Sequence, residues 1–546
     1  MTPPEPHRWL RLGALALLAA CGGGGGGGGA APTPSLPPAL GTPFTASAAS
    51  PMAADCTGST TTPAGTAFID AEVEPFVAVN PLDGNHLVGA WQQDRWSDGG
   101  ARGVTTGVSF DGGRTWARSL QPFSRCAGGT GLAGDYERAS DPWIDVAPDG
   151  TVHAMGLAFN GGVLAPGSVS AMLATRSTDG GRTWSPPAVL VRDGATVFND
   201  KNSLTADRTD ARFVYAVWDR LDATGRGPTL LARSTDGGLS WEAGREVFVP
   251  TSGGVSQTLG NRIVVLANGT LVNVFTQIDT VGGTSSAWLG VVRSTDKGLT
   301  WGAPVRIADA RGIGARDAQS GQAIRDGALI PTIAVASDGA IWVAWQDARF
   351  SAGARDAIAV SRSADGGSTW SAPVAVNKSL GVAAFTPTLA TRADGTVALL
   401  HYDLRTDDST TATPASTWLL TTRDNGATWN EFAVLAPFDM ANAPNARGLF
   451  LGDYQGLVSA NGTFVPLVGI ATGGTTNRTE IVAVRMPANL ASALASSGER
   501  RAFALRAPLD AAADARLRAA THASIVRTME RRAPGWAARA GATPPP

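Results

Sequence analysis

The chain has 546 residues, a formal net charge of −2 and only 16% charged residues against 67 glycines. That balance excludes the basic surface of a nucleic-acid binder and an acidic solvating tail. Abundant glycine with few charges suits many short strands and tight turns better than helices. Lysine occurs only at Lys201, Lys297 and Lys378, so arginine carries nearly all the positive charge.

The chain starts with "HRWLRLGALALLAAC", a basic beginning, a short apolar run and small residues before Cys21. The run is too short for a permanent transmembrane helix. It resembles a bacterial lipoprotein signal with Leu18-Ala19-Ala20-Cys21 as its lipobox. The resemblance implies cleavage before Cys21 and a lipid on its thiol. An ordinary secretory signal is the alternative, and either one implies export. Residues 1–21 are therefore predicted as signal and lipidated cysteine, placing the protein at the outer membrane, periplasm or cell surface and on a membrane only through the lipid. Gly22 to Gly29 and the Ala/Pro/Thr-rich stretch after them predict a disordered tether over 22–62. Cys56 and Cys126 are the remaining cysteines. Export permits a disulfide between them, and two distant thiols are too few for a metal centre.

Two repeats then run through residues 63–486. Six boxes such as "SFDGGRTW" carry Asp111, Asp179, Asp236, Asp296, Asp365 and Asp424, at separations of 68, 57, 60, 69 and 59. Each follows a β-branched run and precedes another, which places it on a hairpin between the third and fourth strands of a unit. Strand pairs with Asp-Gly or Asn-Gly turns, such as "WIDVAPDGTVHAMG" and "IVVLANGTLVNVF", occur seven times. A period near 60 with strand-like segments predicts an all-β propeller of four-stranded antiparallel blades. Seven blades are favoured, with six and an irregular terminal hairpin as the fallback. "TAFID" (66–70) is expected to supply the missing outer strand of the last blade.

The box pattern Ser/Thr-x-Asp-x-Gly-x-Thr-Trp resembles the Asp box of the sialidase superfamily. The aspartate can accept backbone N–H groups across its own turn, the glycine permits unusual backbone angles, and the tryptophan buries apolar surface. All three roles are structural. In that family the boxes lie on the face opposite the catalytic one, which directs attention to the other rim.

On that rim the second strands run into "WQQDR", "VWDR", "WQDAR" and "YDLR". They place Asp94/Arg95, Asp219/Arg220, Asp347/Arg349 and Asp403/Arg405 around one end of the ring. Starts of first strands add Asp141, Asp200, Lys201, Arg262, Asp453 and Tyr454. Such Asp/Arg neighbours either tie blades together or line a funnel that suits a carboxylate ligand. Sialidases use three arginines, an acid/base aspartate, and a tyrosine nucleophile activated by a glutamate. The resemblance implies Tyr454 as nucleophile and Asp94 as acid/base. The first strand, however, reads Val73-Glu74-Pro75 without the family's arginine, and no glutamate lies between Glu246 and Glu431. The expected function is therefore glycan or glycoconjugate recognition or adhesion without the standard sialidase set. An exo-α-sialidase-type hydrolase is the alternative, and a protein partner at the rim is a third. No cofactor is expected, although rim aspartates with backbone carbonyls would suit Ca²⁺. A monomer is expected. Residues 487–546 are Ala/Arg-rich and predict a partly helical appendage ended by Pro534-Gly535.

Overall fold

The structure is a computed structural model that describes residues 36–58, 65–407, 412–473, 478–490, 501–502 and 509–544. The signal segment, Cys21 and the glycine tract lie outside the described residues. The architecture is all-β apart from a C-terminal helical segment. Successive antiparallel meanders occupy 67–121, 138–193, 197–248, 255–309, 332–375, 384–433 and 456–485. We call them the first to seventh sheets. The first shows the pattern, with strands Ala67–Asn80, Asp83–Trp96, Ala101–Ser109 and Ala117–Gln121. Several inner turns close at a glycine with positive φ, such as Gly150 (86°) and Gly395 (84°), which only glycine adopts without strain.

The innermost strand of each sheet packs against that of the next, and Gly456–Ala460 packs back against Ala67–Asn80. Apolar clusters fill the spaces between sheets, with Trp91, Trp218, Trp345 and Trp418 fully buried. The seventh sheet has three strands of its own, and its fourth is Thr42–Thr45, antiparallel to Thr479–Arg485. This corrects the expectation for "TAFID", which leads into the innermost strand of the first sheet; that strand pairs with the seventh sheet at the next residue, Ala71↔Thr479. The reason is competition for one edge. Phe44 and its neighbours pair in continuous register along that outer strand, whereas Ala67 and Phe68 are already paired with Trp96 and Arg95. The tether expected over 22–62 accordingly ends earlier, because Thr42–Thr45 is a strand and Ala46, Ser47 and Met52 are buried. Cys56 and Cys126 form a disulfide that fastens this segment beyond the first sheet.

The boxes are self-contained turns. In the fourth, Asp296 Oδ1 accepts the Thr300 amide at 2.9 Å, Oδ2 accepts the Thr300 hydroxyl at 2.6 Å, and Ser294 Oγ accepts the Gly298 amide at 2.8 Å. Those hydrogen bonds, the Thr300 hydroxyl first, hold the Asp296 pKa down at about 2. A carboxylate so occupied and so acidic has neither a proton nor a free lone pair for chemistry at neutral pH.

The C-terminal helix Ala511–Arg532 starts on Asp510, whose carboxylate accepts the Ala513 amide at 2.7 Å. Leu517, Ile525, Val526 and Met529 are buried. Ile525, Val526, Met529 and the following Trp536 share a cluster with Leu221, Leu259 and Ile278 of the third and fourth sheets. Arg532 anchors the end of the helix, reaching Asp200 Oδ2 at 2.5 Å and also pairing with Asp219.

Candidate functional site at the sheet ends opposite the boxes

In the first sheet the box begins at Ser109, opposite Leu87, while Arg95 pairs with Ala101 at the far end of the same strands. The boxes and the rim thus lie at opposite ends of the sheet. At the rim end the innermost strands share one irregularity. The register slips between Val73 and Phe76, Ser140 and Trp143, Asp200 and Ser203, Leu259 and Arg262, and Phe385 and Thr388. Each slip contains a residue with positive φ, namely Glu74 (56°), Asp141 (52°), Lys201 (47°), Gly260 (69°) and Thr386 (51°). A bulge re-aims its side chain, and a non-glycine residue at such φ costs about 1–3 kcal/mol that the surroundings must offset. Neighbouring sheets supply that support. Asp141 Oδ2 accepts the Lys201 amide at 3.1 Å, Asp219 Oδ1 the Gly260 amide at 3.1 Å, and Gln346 Oε1 the Thr386 amide at 3.0 Å.

Three of these bulges converge. Lys201 Nζ lies 2.6 Å from Asp453 Oδ2, 3.4 Å from Asp141 Oδ1 and 3.6 Å from Glu74 Oε1. Arg325 reaches Asp453 at 3.4 Å. Arg95, 1% exposed, donates from Nη1 to Gln92 Oε1 at 2.6 Å and leaves its Nε without a partner. Arg95 and Arg325 stack on Phe450, 4.8 and 4.3 Å from the ring centroid. Burial pushes Glu74 up to about 8, opposed by Lys201 and reinforced by Asp141 and Asp453. Asp453 is buried too, yet Lys201 and Arg325 hold it below the usual carboxylate range. Burial, then the repulsion of Arg325, lowers Arg95 to about 10.

Above this cluster opens a cavity of about 510 Å³. Asp141, Lys201 and Asp453 lie in its lining with Arg95, Arg325 and Arg138, and Arg447, Arg531 and Arg532 complete it from the last loop and the helix. Most of its acids are already engaged, while Asp326 leaves its Oδ1 without a hydrogen-bond partner among the described residues. Asp141 and Asp453 hold Lys201, Asp200 holds Arg532, and Asp98 holds Arg138 at 2.6 Å. Among the described residues Arg447 donates to the Arg531 carbonyl, and Arg531 to Thr528 Oγ1 at 3.1 Å.

Of the residues expected on the rim, Arg95, Asp141, Asp200, Lys201 and Asp453 line this cavity together. The others lie elsewhere. Asp94 is buried under the N-terminal segment, accepting from Ser50 Oγ at 2.6 Å and Arg102 Nη1 at 3.0 Å. Arg220 pairs with Asp193, Arg349 with Asp347, and Arg405 with Asp403 and Glu431 while stacked on Trp418. The first of these ties the third sheet to the second, and the other two are local ties within their own sheets. Tyr454 donates its hydroxyl to the Pro142 carbonyl at 3.0 Å and packs against Phe76 and Trp143. With Arg262, which lies 5.3 and 5.1 Å from the same two rings, it borders a separate space of only about 30 Å³. Burial, then Glu74 and Asp141, lifts the Tyr454 pKa well above its ordinary value. Among the described residues no group of three or more His, Cys, Asp or Glu side chains is placed to hold a metal, and Lys201 is the cation among the central carboxylates.

Sequence reasoning missed Glu74, Arg138, Arg325, Arg447, Arg531 and Arg532 as parts of the site. An acid inside the apolar run "EVEPFVAV" was a usable signal for Glu74, and so was the rarity of lysine for Lys201.

Residues 214–446 match the family described as BNR repeat-like domain. A curated relative, a sialidase from Micromonospora viridifaciens, is 29% identical over 201 residues, covering 32% of this chain and 29% of that protein. The chain therefore spans under a third of that relative's length. Among solved structures, a GH93 alpha-L-arabinofuranosidase of Fusarium graminearum with arabinobiose aligns with TM-score 0.43 and 14% identity, over 66% of this chain and 97% of that one. Trypanosoma rangeli sialidase aligns with TM-score 0.40 and 14% identity, over 78% and 56%. The boxes, the repeat model matched over residues 214–446 and the sialidase relative together support a likeness to the sialidase-like BNR-repeat superfamily.

Proposed function

We propose that the chain is an exported, lipid-anchored, monomeric seven-bladed propeller whose central cavity binds a carboxylate-bearing glycan. Seven meanders in mutual contact and an N-terminal strand completing the last one support the closed ring. A lipobox at Cys21 and a disulfide support export. The binding reading rests on one observation. Arg95, Arg447 and Arg531 face a cavity of about 510 Å³ without an ion pair to any carboxylate among the described residues. A guanidinium fork is the natural partner of a sugar carboxylate. The similarity to a sialidase supports glycan as the ligand class.

Recognition is favoured over tyrosine-based hydrolysis, because the Tyr454 hydroxyl is committed to a backbone carbonyl outside the cavity. A second reading, hydrolysis by carboxyl groups, draws on Glu74 at about 8 beside a depressed Asp453, an acid and a base held apart by their environments. A glycan array with acidic and neutral ligands, read with wild type and Arg447→Gln/Arg531→Gln, tests the first reading. Retention on acidic glycans, lost in the variant, is expected, and equal retention on neutral glycans would overturn it. Release of a fluorogenic aglycone that persists in Tyr454→Phe and vanishes in Glu74→Gln would favour the second.

A further inference from the structure

We infer that the ligand is a linear glycan bearing acidic groups on successive residues, seated across two cavities joined by arginines of the C-terminal helix. This rests on reading the central cavity as an acidic-glycan site and extends it. A second cavity, also about 510 Å³, lies beside the same helix, with Arg316, Arg355 and Arg527 in its wall. Each of these donates to a backbone carbonyl. Arg316 reaches Gly321 O at 3.3 Å, Arg527 reaches Ile313 O at 3.3 Å, and Arg355 reaches Gly381 O. None pairs with a carboxylate among the described residues. The acids nearby are occupied, since Asp317 accepts from the Ser320 and Thr413 hydroxyls, both at 2.8 Å, and Asp407 has partners of its own.

The two cavities are neighbours. Arg531 borders the first and Arg527 the second, and four residues of helix separate them by about 6 Å along the axis. Their common wall is tied where Asp326, on the first cavity, accepts the Ala315 amide at 2.7 Å. Burial, then Arg316 and Arg531, depresses the pKa of Arg527; burial lowers that of Arg531 against the pull of Asp326, with Arg325 and Arg316 adding to the lowering, so the row carries like-charge repulsion that Asp326 offsets in part. A ligand with one charge would engage the first cavity and leave the arginines of the second unmet. One with charges at successive residues would relieve the whole row.

The test is calorimetric titration at low salt with oligogalacturonates and α2,8-linked oligosialic acids, each from monomer to hexamer, and with maltohexaose as the neutral control. Wild type is compared with the Arg316→Gln/Arg527→Gln double variant, whose thermal midpoint checks folding. In at least one acidic series the wild-type hexamer is expected to bind more than about ten-fold tighter than the monomer, through linked occupation of two sites. The variant is expected to bring that ratio towards one. Monomer binding without gain from length, or a gain that survives in the variant, overturns this inference alone. Absence of binding to every acidic ligand overturns the central-cavity reading as well.

Discussion

Replacing Lys201 with methionine keeps most of the side-chain volume and removes the ammonium that three carboxyl groups face. With Glu74 raised to about 8, that group is mostly neutral at pH 7, so two charges lose their partner. Asp453 retains Arg325 at 3.4 Å, whereas Asp141 is left with neutral hydrogen bonds from the Ser140 hydroxyl at 2.9 Å, the Glu74 carboxyl and the amide of residue 201. Removing one member of a buried pair typically costs about 3–5 kcal/mol, and that is the expected loss at pH 7. The sign of its pH dependence follows from the shifts. Asp141 and Asp453 lie below their ordinary values in spite of burial because of Lys201, so their stabilisation is present above about pH 4 and is lost only as pH falls through the folded values. Without the ammonium, burial raises them above the unfolded range, and protonation then relieves the variant as pH falls. Urea unfolding of both proteins from about pH 7 to about pH 4.5 is expected to show a deficit that shrinks with acidity. A deficit below about 1 kcal/mol, or one independent of pH, would refute the assignment of Lys201 as the central counter-ion.

Other outcomes follow from the same contacts. Burial raises Glu74 to about 8, so its ionisation lowers wild-type stability as pH rises from about 5 to about 8; Glu74→Gln should flatten that decline in urea melts, and an unchanged slope would contradict it. Arg532→Met leaves Asp200 and Asp219 buried without their cation, and should release the helix Ala511–Arg532 to limited proteolysis near neutral pH; equal resistance would contradict the anchoring role. The disulfide closes a loop with a sequence separation of 70, for which chain entropy gives about 4 kcal/mol, so Cys56→Ala/Cys126→Ala should lose up to that amount by chemical unfolding. Asp111→Ala removes the acceptor for the Arg114 and Thr115 amides and should lower the thermal midpoint without changing glycan binding.

The repeat was legible because it is local. Each box closes within a few residues on its own hydrogen bonds, and each Gly-containing turn announces its hairpin. The Asp/Arg pairs at the second-strand ends were legible as residues but ambiguous as function, and Arg349 and Arg405 resolve into ties within two residues of their partners. What the sequence concealed was long-range. The outer strand of the seventh sheet comes from residues 42–45, more than 400 positions away from its partner Thr479–Arg485, and no local pattern marks that pairing. The central cluster joins Glu74, Asp141, Lys201 and Asp453 through bulges whose aim depends on φ at single residues. Arg531 and Arg532 reach the cavity only because a tail with a thin apolar stripe docks on the third and fourth sheets.

The central proposal is tested most directly by a crystal structure of the full folded unit with a bound acidic oligosaccharide. A sugar carboxylate within hydrogen-bonding distance of Arg95, Arg447 or Arg531 in the cavity above Lys201 is the expected result. An oligosaccharide seated instead on the box turns, or at Tyr454 with the cavity empty, would contradict it.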